Sequence, residues 1–238
     1  MQRKGPKTEF AIQHATTTFQ SRIIDPAHYQ SRVIKSAKFN KKLGNGKYKI
    51  EKTDWKGFAL YYLTLVERET CPTSCHHWDD CYGNNMWLAD RFKAGKALED
   101  KIKEEIRWLD LRHDNFVVRL HILGDFYSVE YVELWGKLLE QYDSLHIFGY
   151  TAVNSGPIYQ AIRKHLLTKP EKVSLRFSVN DSLRDNFDSF DSLPHYFAVD
   201  EDYSGDSITC PEQTGKTDSC ITCGLCWNSS RVIKFTTH

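Results

Sequence analysis

Seven cysteines fall into two groups, Cys71, Cys75 and Cys81 near the front, and Cys210, Cys220, Cys223 and Cys226 near the end. Closely spaced thiolates ligate soft metals. The run Cys220, Cys223, Cys226 has the spacing of ferredoxin-type [4Fe–4S] loops and is rare in structural zinc sites. With Cys210 ten residues upstream, one loop has enough ligands to wrap a cubane. The front group is one ligand short of a closed site. His76 and His77 lie inside that loop, so either completes a Cys3His zinc site, or the fourth position stays open. Disulfides fit poorly. The count is odd, no secretory signal opens the chain, and 40% hydrophobic content describes a chain able to build its own core. The expectation is a soluble, cytoplasmic protein with reduced thiols, since no run approaches the roughly 18 apolar residues of a membrane span.

Charge is distributed unevenly behind a formal net of +1. Residues 1–56 hold thirteen Lys or Arg against Glu9, Asp25, Glu51 and Asp54, which leaves the remainder acidic. A basic arm interleaved with Phe39, Tyr48 and Trp55 has the make-up of a nucleic-acid contact, phosphates on the cations and bases on the rings. The plainer reading is a solvated surface.

The elements that position these groups follow from periodicity. Residues 1–40 show no sustained pattern and read as a basic, irregular N-terminal extension; residues 41–238 read as a single α/β domain that includes the four-cysteine segment. Gly44-Asn45-Gly46 predicts a tight turn with Lys47–Lys52 pairing back on what precedes it. Phe58–Val66 is an apolar strand leading to Cys71, and Met86–Arg112 has a helical period. Phe116–Leu123, Ser144–Thr151, Val173–Val179 and His195–Val199 read as strands, separated by helices over Val129–Gln141 and Gly156–Leu167. Such alternation predicts a mostly parallel sheet, either doubly wound or a partial (β/α) barrel, with Cys-rich loops at the strand carboxyl ends. Function in such folds gathers at those ends. The candidate catalytic residues are therefore Asp125, Tyr150, Arg176 and Asn180, with Gly124 and Asp125 as a cofactor contact and Asp181 and Asp200 nearby. Asp125 also reads as a turn residue, and Ser128 as the cap of the following helix. His121 reads as a hydrogen-bonded core histidine.

Together these motifs resemble the phage "gene product 88" domain family. The residues that carry the resemblance are the Gly-Asn-Gly turn, Cys71-Pro72 to Cys75, Cys81-Tyr82-Gly83, Gly124-Asp125-Phe126, and Cys210-Pro211 through Gln213-Thr214-Gly215-Lys216 to Cys220, Cys223-Gly224-Leu225-Cys226-Trp227. It covers roughly residues 40–238 and implies a phage or mobile-element origin rather than an activity. A weaker similarity is to radical S-adenosylmethionine enzymes, in which three cysteines hold a [4Fe–4S] cluster with one iron open to the cofactor. The resemblance implies that Gly124-Asp125 contacts S-adenosylmethionine and that the rear four cysteines hold an auxiliary cluster. The front spacing, three and then five residues between cysteines, departs from that family's three and two. Three functions follow: a radical-SAM-like iron–sulfur enzyme acting on nucleic acid or peptide; a nucleic-acid-binding protein with a structural Fe–S or zinc site; and a divalent-metal hydrolase or nuclease using Asp125 and Asp181. No glycine-rich phosphate cradle is present.

Overall fold

The computed structural model describes residues 17, 19–79, 81–179 and 196–236. Its centre is an eight-stranded sheet in the order β2-β3-β5-β6-β7-β8-β10-β9. The strands are β2 (Lys35–Ser36), β3 (Ala59–Tyr62), β5 (Phe116–Leu120), β6 (Leu145–Thr151), β7 (Val173–Ser178), β8 (Tyr196–Val199), β9 (Ile208–Thr209) and β10 (Ile233–Lys234). Only the β2–β3 pair is antiparallel. A separate parallel pair joins β1 (Ile23–Ile24) to β4 (Arg91–Phe92).

From β3 to β8 each parallel strand is laid beside the one before it, without the reversal that a doubly wound sheet requires. The crossovers between β3 and β7 then deliver their helices to one face, as right-handed connections require. Helices α1 (Lys96–Asp110), α2 (Val129–Gln141) and α3 (Gly156–His165) all join one core with Phe116, Val118, Leu120, Leu145, Ile147, Val173, Leu175 and Phe177. The sheet is not a closed barrel: β2 and β9 are its two edges.

The opposite face carries the alternate residues Leu60, Val117 and Phe148, and a second core covers it. This cover comes from both chain ends, Ala37, Leu43, Ile50 and Trp55 from one side and Cys220 and Ile221 from the other. The two covers are stitched together by Cys220 N–H to Lys42 O (2.8 Å), Ile221 N–H to Leu43 O (3.1 Å) and Glu51 N–H to Ile221 O (3.0 Å).

Three sequence expectations change. Asn45 and Gly46 do take positive φ (48° and 89°), but Tyr48–Ile50 pairs forward with Phe58–Leu60 (Leu60 N–H to Tyr48 O, 2.7 Å) rather than back. The turn is spent closing on Lys38 and Asn40, whose carbonyls accept from Gly46 and Asn45. The helix expected over Met86–Arg112 begins only at Lys96, because Gly95 at φ 119° interrupts it and Arg91–Phe92 pairs as β4. Residues 20–40 form short 3-10 turns and two-residue strands docked on the domain, where Glu105 of α1 accepts Val33 N–H and Ile34 N–H, each at 2.8 Å. Asn180, Asp181 and His195 lie outside the described residues.

Candidate metal centres

All four rear cysteines line one small cavity, with Pro211, Glu212, Gly224, Leu225, Trp227 and Ile233. Local chemistry explains why the segment folds around it. Ser219 and Thr222 form a reciprocal capping box on the one-turn helix α4 (Cys220–Cys223), and Gly224 at φ 73° ends it and starts α5 (Leu225–Asn228). A side chain at Gly224 would meet Thr53 Cγ2 at 2.3 Å. Trp227 anchors the turn by donating to Thr53 Oγ1 (2.9 Å) and stacking on Trp55.

Beneath the cysteines lies the sheet face opposite the helices. The register pairs Arg119 with Phe148 and Tyr150 with Arg176, so Arg119, Tyr150 and Arg176 point the same way. The Tyr150 hydroxyl donates to Cys226 Sγ at 2.7 Å. Arg176, with no exposed surface, directs its donors at carbonyls of the rear segment: Nε to Cys226 O (3.0 Å), Nη1 to Arg231 O (2.9 Å), and Nη2 to Leu225 O (3.4 Å) and Ser229 O. Ser174 Oγ adds a bond to Cys226 O at 3.0 Å. Arg119 Nε is shut off from solvent with no hydrogen-bond partner. Burial opposes Arg119's charge, and the phenols of Tyr82 and Tyr150 with the thiols of Cys220 and Cys226 outweigh it, holding its pKa above the ordinary value. No carboxylate of the described residues forms an ion pair with Arg119 or Arg176.

The front group is a separate site. Cys71 is held well above the ordinary thiol pKa by burial, then by Asp125, and then by Cys75 and Cys81, so these groups are mutual neighbours. The rear thiols feel one another instead: burial and then Cys226, with Cys210 further down, raise Cys220. The front loop has its own buried cation. Arg68, 5% exposed, bonds through Nη2 to Trp78 O (2.9 Å) and Asn84 Oδ1 (3.2 Å), while its Nε and Nη1 are buried and unpartnered. Each cysteine group thus sits against a guanidinium with orphaned donors. An open crevice of about 270 Å³ adjoins Cys71, between Thr70, Ser74, Phe126, Tyr127, Asn154 and Ser155.

Asp125 has a role of its own. Its carboxylate accepts from Phe126 N–H (2.8 Å), Thr151 Oγ1 (2.7 Å) and Ala152 N–H (2.7 Å), bracketing the segment after β5 to the end of β6. Burial pushes its pKa up to about 6, against the pull of those three bonds. Gly124, at φ 84°, lets the backbone pass so close to Leu65 and Thr70 that a Cβ would meet Thr70 Oγ1 at 2.5 Å. Asp125 therefore lies with Cys71, whereas Tyr150 and Arg176 lie with the rear cysteines. The four candidate residues were expected in one crevice. Tyr150 and Arg176 are inside their strands rather than past them, so the pleat sends them to the sheet face. Ser128 caps α2 by accepting Tyr131 N–H at 3.1 Å. His121 is a buried histidine bonded to Tyr131 (3.1 Å), its pKa pushed down to about 3 by burial.

Arg119 and Arg68 went unnoticed in the sequence. For Arg119 the signal was available: a single arginine inside the apolar run Phe116–Leu120. The basic arm is partly committed to the protein itself, since Arg22 and Lys35 reach Asp90, Lys42 reaches Glu212, Lys47 reaches Glu51, and Arg32 covers the Trp108 ring.

The model of the family described as gene product 88 matches residues 35–229, which contain both cysteine groups and the sheet strands β2 to β9. The chain belongs to the gene product 88 family. Among its relatives, the Gene 88 protein of Mycobacterium phage L5 is 25% identical over 189 residues, covering 74% of this chain and 75% of that protein. The Gene 88 protein of Mycobacterium phage D29 is 23% identical over 190 residues, with the same coverage. No solved structure matches the chain. Among the described residues no helix is long and apolar enough to cross a membrane.

Proposed function

We propose that this gene product 88 protein is an iron–sulfur protein whose four rear cysteines hold a [4Fe–4S] cluster. The observation that carries the reading is the thiol spacing. Tetrahedral zinc with Zn–S bonds of about 2.3 Å needs its sulfurs about 3.8 Å apart. Among the described residues, the one group of three or more Cys, His, Asp or Glu whose ligand atoms all lie within 4.8 Å of one another contains no cysteine. The rear thiols surround one cavity, and no three of them have their sulfurs all within 4.8 Å of one another. A cubane places its thiolates on four different irons and so accepts the wider set.

The electrostatics agree. Burial raises the pKa of Cys220, Cys223 and Cys226, so these thiols ionise only when a cation takes the proton's place. A four-thiolate centre is then anionic, and Arg119 and Arg176 supply the counter-charge that no carboxylate of the described residues claims. Tyr150 donates to a ligand sulfur, the kind of bond that tunes a cluster's potential.

For the front group the same reading is a second cluster on Cys71, Cys75 and Cys81, with Arg68 as its counter-charge. What supports a radical-SAM-like build is a singly wound, mostly parallel sheet, a three-cysteine loop after its first parallel strand, and a crevice beside Cys71 able to take a small molecule such as S-adenosylmethionine. A cluster with one iron free of protein ligands would supply an electron and a coordination site there. The chain's own part is to bind and orient: Thr70, Phe126 and Tyr127 wall the crevice, and Asp125 fixes the backbone that carries two of them. The substrate would be nucleic acid or peptide. Anaerobically purified protein tests the reading. Iron and labile sulfide near eight of each per chain, with broad charge-transfer absorption in the visible, are expected. Stoichiometric zinc without sulfide would end it, and four of each would confine it to one site.

A further inference from the structure

A third cluster of ligating groups contains no cysteine. His76 and His77, in the front loop, both turn toward Asp200, the residue after β8. His77 Nε2 lies 2.7 Å from Oδ1 and His76 Nε2 lies 3.3 Å from Oδ2, and the two rings are 4.1 Å apart. Among the described residues these three alone, of groups of three or more, bring their ligand atoms within 4.8 Å of one another.

Hydrogen bonding accounts for His77, 2.7 Å from Asp200 Oδ1, and leaves His76 unexplained. His76 is close to Oδ2, yet its Nε2 points past the oxygen, and both its ring nitrogens are buried without a hydrogen-bond partner. Its side chain is only 11% exposed, so water does not make up the deficit, and an imidazole left this way is costly. Two imidazoles converge on one carboxylate either as neutral Nε2–H donors or as ligands of a single cation, and the buried, unpartnered nitrogens of His76 favour the cation. Zinc-type bonds of about 2.0–2.2 Å set neighbouring N and O ligands roughly 3–3.4 Å apart; His76 stands 3.3 Å from Oδ2, and His77, 2.7 Å from Oδ1, is a little closer.

We infer that His76, His77 and Asp200 form a mononuclear divalent-cation site of zinc type, distinct from both cysteine centres. Two imidazoles and a carboxylate suit a borderline ion such as Zn²⁺ rather than Ca²⁺ or Mg²⁺. The ion would tie the front loop to the end of β8 and leave a position for water. The inference does not depend on what the thiols hold.

The test is cobalt(II) titration of the full chain after its cysteine sites are filled, with iron or zinc as metal analysis finds them. That analysis reads the cysteine centres and the titration reads this one, so either idea is able to fail alone. One equivalent should bind with weak visible bands of N/O ligation and no intense thiolate-to-cobalt charge transfer. Binding should weaken at least about tenfold in His77→Ala and in Asp200→Asn, with the cysteine-bound metal unchanged. His76→Gln should do the same, which guards against one variant that misfolds. Absence of binding, charge transfer from sulfur, or equal affinity in all three variants would each overturn the assignment.

Discussion

Asp125 offers the sharpest test of how the front site is built, because its two roles, bracket and ligand-facing charge, respond differently to Ala and Asn. Asp125→Ala removes the acceptor of three buried donors. The Thr151 hydroxyl is able to rotate, but the amides of Phe126 and Ala152 are not, and two buried amides without acceptors cost about 1–3 kcal/mol each. Part of this is returned. The carboxylate's pKa sits at about 6 against about 3.9 in an unfolded chain, so its charge costs the fold about 3 kcal/mol at neutral pH that Ala does not incur. The balance for Ala is a loss of about 1 kcal/mol, or about 2–4 °C in Tm for a domain of this size. Asp125→Asn also sheds the charge, but keeps one oxygen on one amide, and should stay within about 1 kcal/mol of the wild type. Thermal unfolding of anaerobic protein at pH 7.5 measures both, and the iron content of each variant shows whether the clusters survive. Equal losses for Asn and Ala, or an Ala variant that melts with the wild type, would refute the bracket. In that case the charge itself, presented to a ligand, would be its purpose.

The same group sets a pH dependence. The native state binds the Asp125 proton more tightly than the unfolded chain does, so its stabilising share is complete below about pH 4 and lost as pH rises through about 6; wild type should gain about 1 kcal/mol on Asp125→Asn between pH 8 and pH 5.5, and a constant difference would contradict this. Tyr150→Phe removes a hydrogen bond to Cys226 Sγ and should lower the rear cluster's potential on the order of 50 mV by anaerobic redox titration; no shift would mean the bond is absent in the loaded protein. Arg176→Lys strips several buried carbonyls of their donor and should cost at least about 3 kcal/mol, read as a lower Tm and as protease cleavage within residues 208–236. Gly149→Ala would push a Cβ to 2.2 Å from Leu120 O and should abolish soluble expression; a folded variant would show that β5 and β6 are set further apart.

Much of the fold was legible because burial writes itself into period. Val129–Gln141 matches to the residue, and the strands at 116, 145, 173 and 196 match within a few, since each presents an apolar face to the helix-side core and is bounded by turn residues. The forward pairing of Tyr48–Ile50 was not legible: an Asn-Gly turn announces a reversal, while its partner is settled by a second turn at Thr53–Gly57. The helix start at Lys96 was hidden for a similar reason, since Trp87 and Leu88 continue the helical period by composition but lie in turns. For the sites, cysteine spacing located both groups. What it does not encode is the layer underneath. Arg119, Tyr150 and Arg176 belong to three different strands, and only parallel register places them side by side under thiols that begin 34 residues after the last of them, at Cys210.

The covering of that second sheet face by both chain ends has a consequence for synthesis. A ribosome delivers every strand from β3 to β8 before it delivers Cys210, so the helix-side core is available to form while Arg119 and Arg176 still face an uncovered surface. The rear segment closes that surface only after Cys226 has emerged, through carbonyls that Arg176 is waiting to bind. A stop codon between β8 and Cys220 would therefore leave a chain with most of its secondary structure and an open apolar face bearing two unneutralised cations. Such a chain would be prone to aggregate and to stick to nucleic acid. If the rear thiols hold a cluster as proposed, its loading would come last, on a sheet whose strands β3 to β8 are already made.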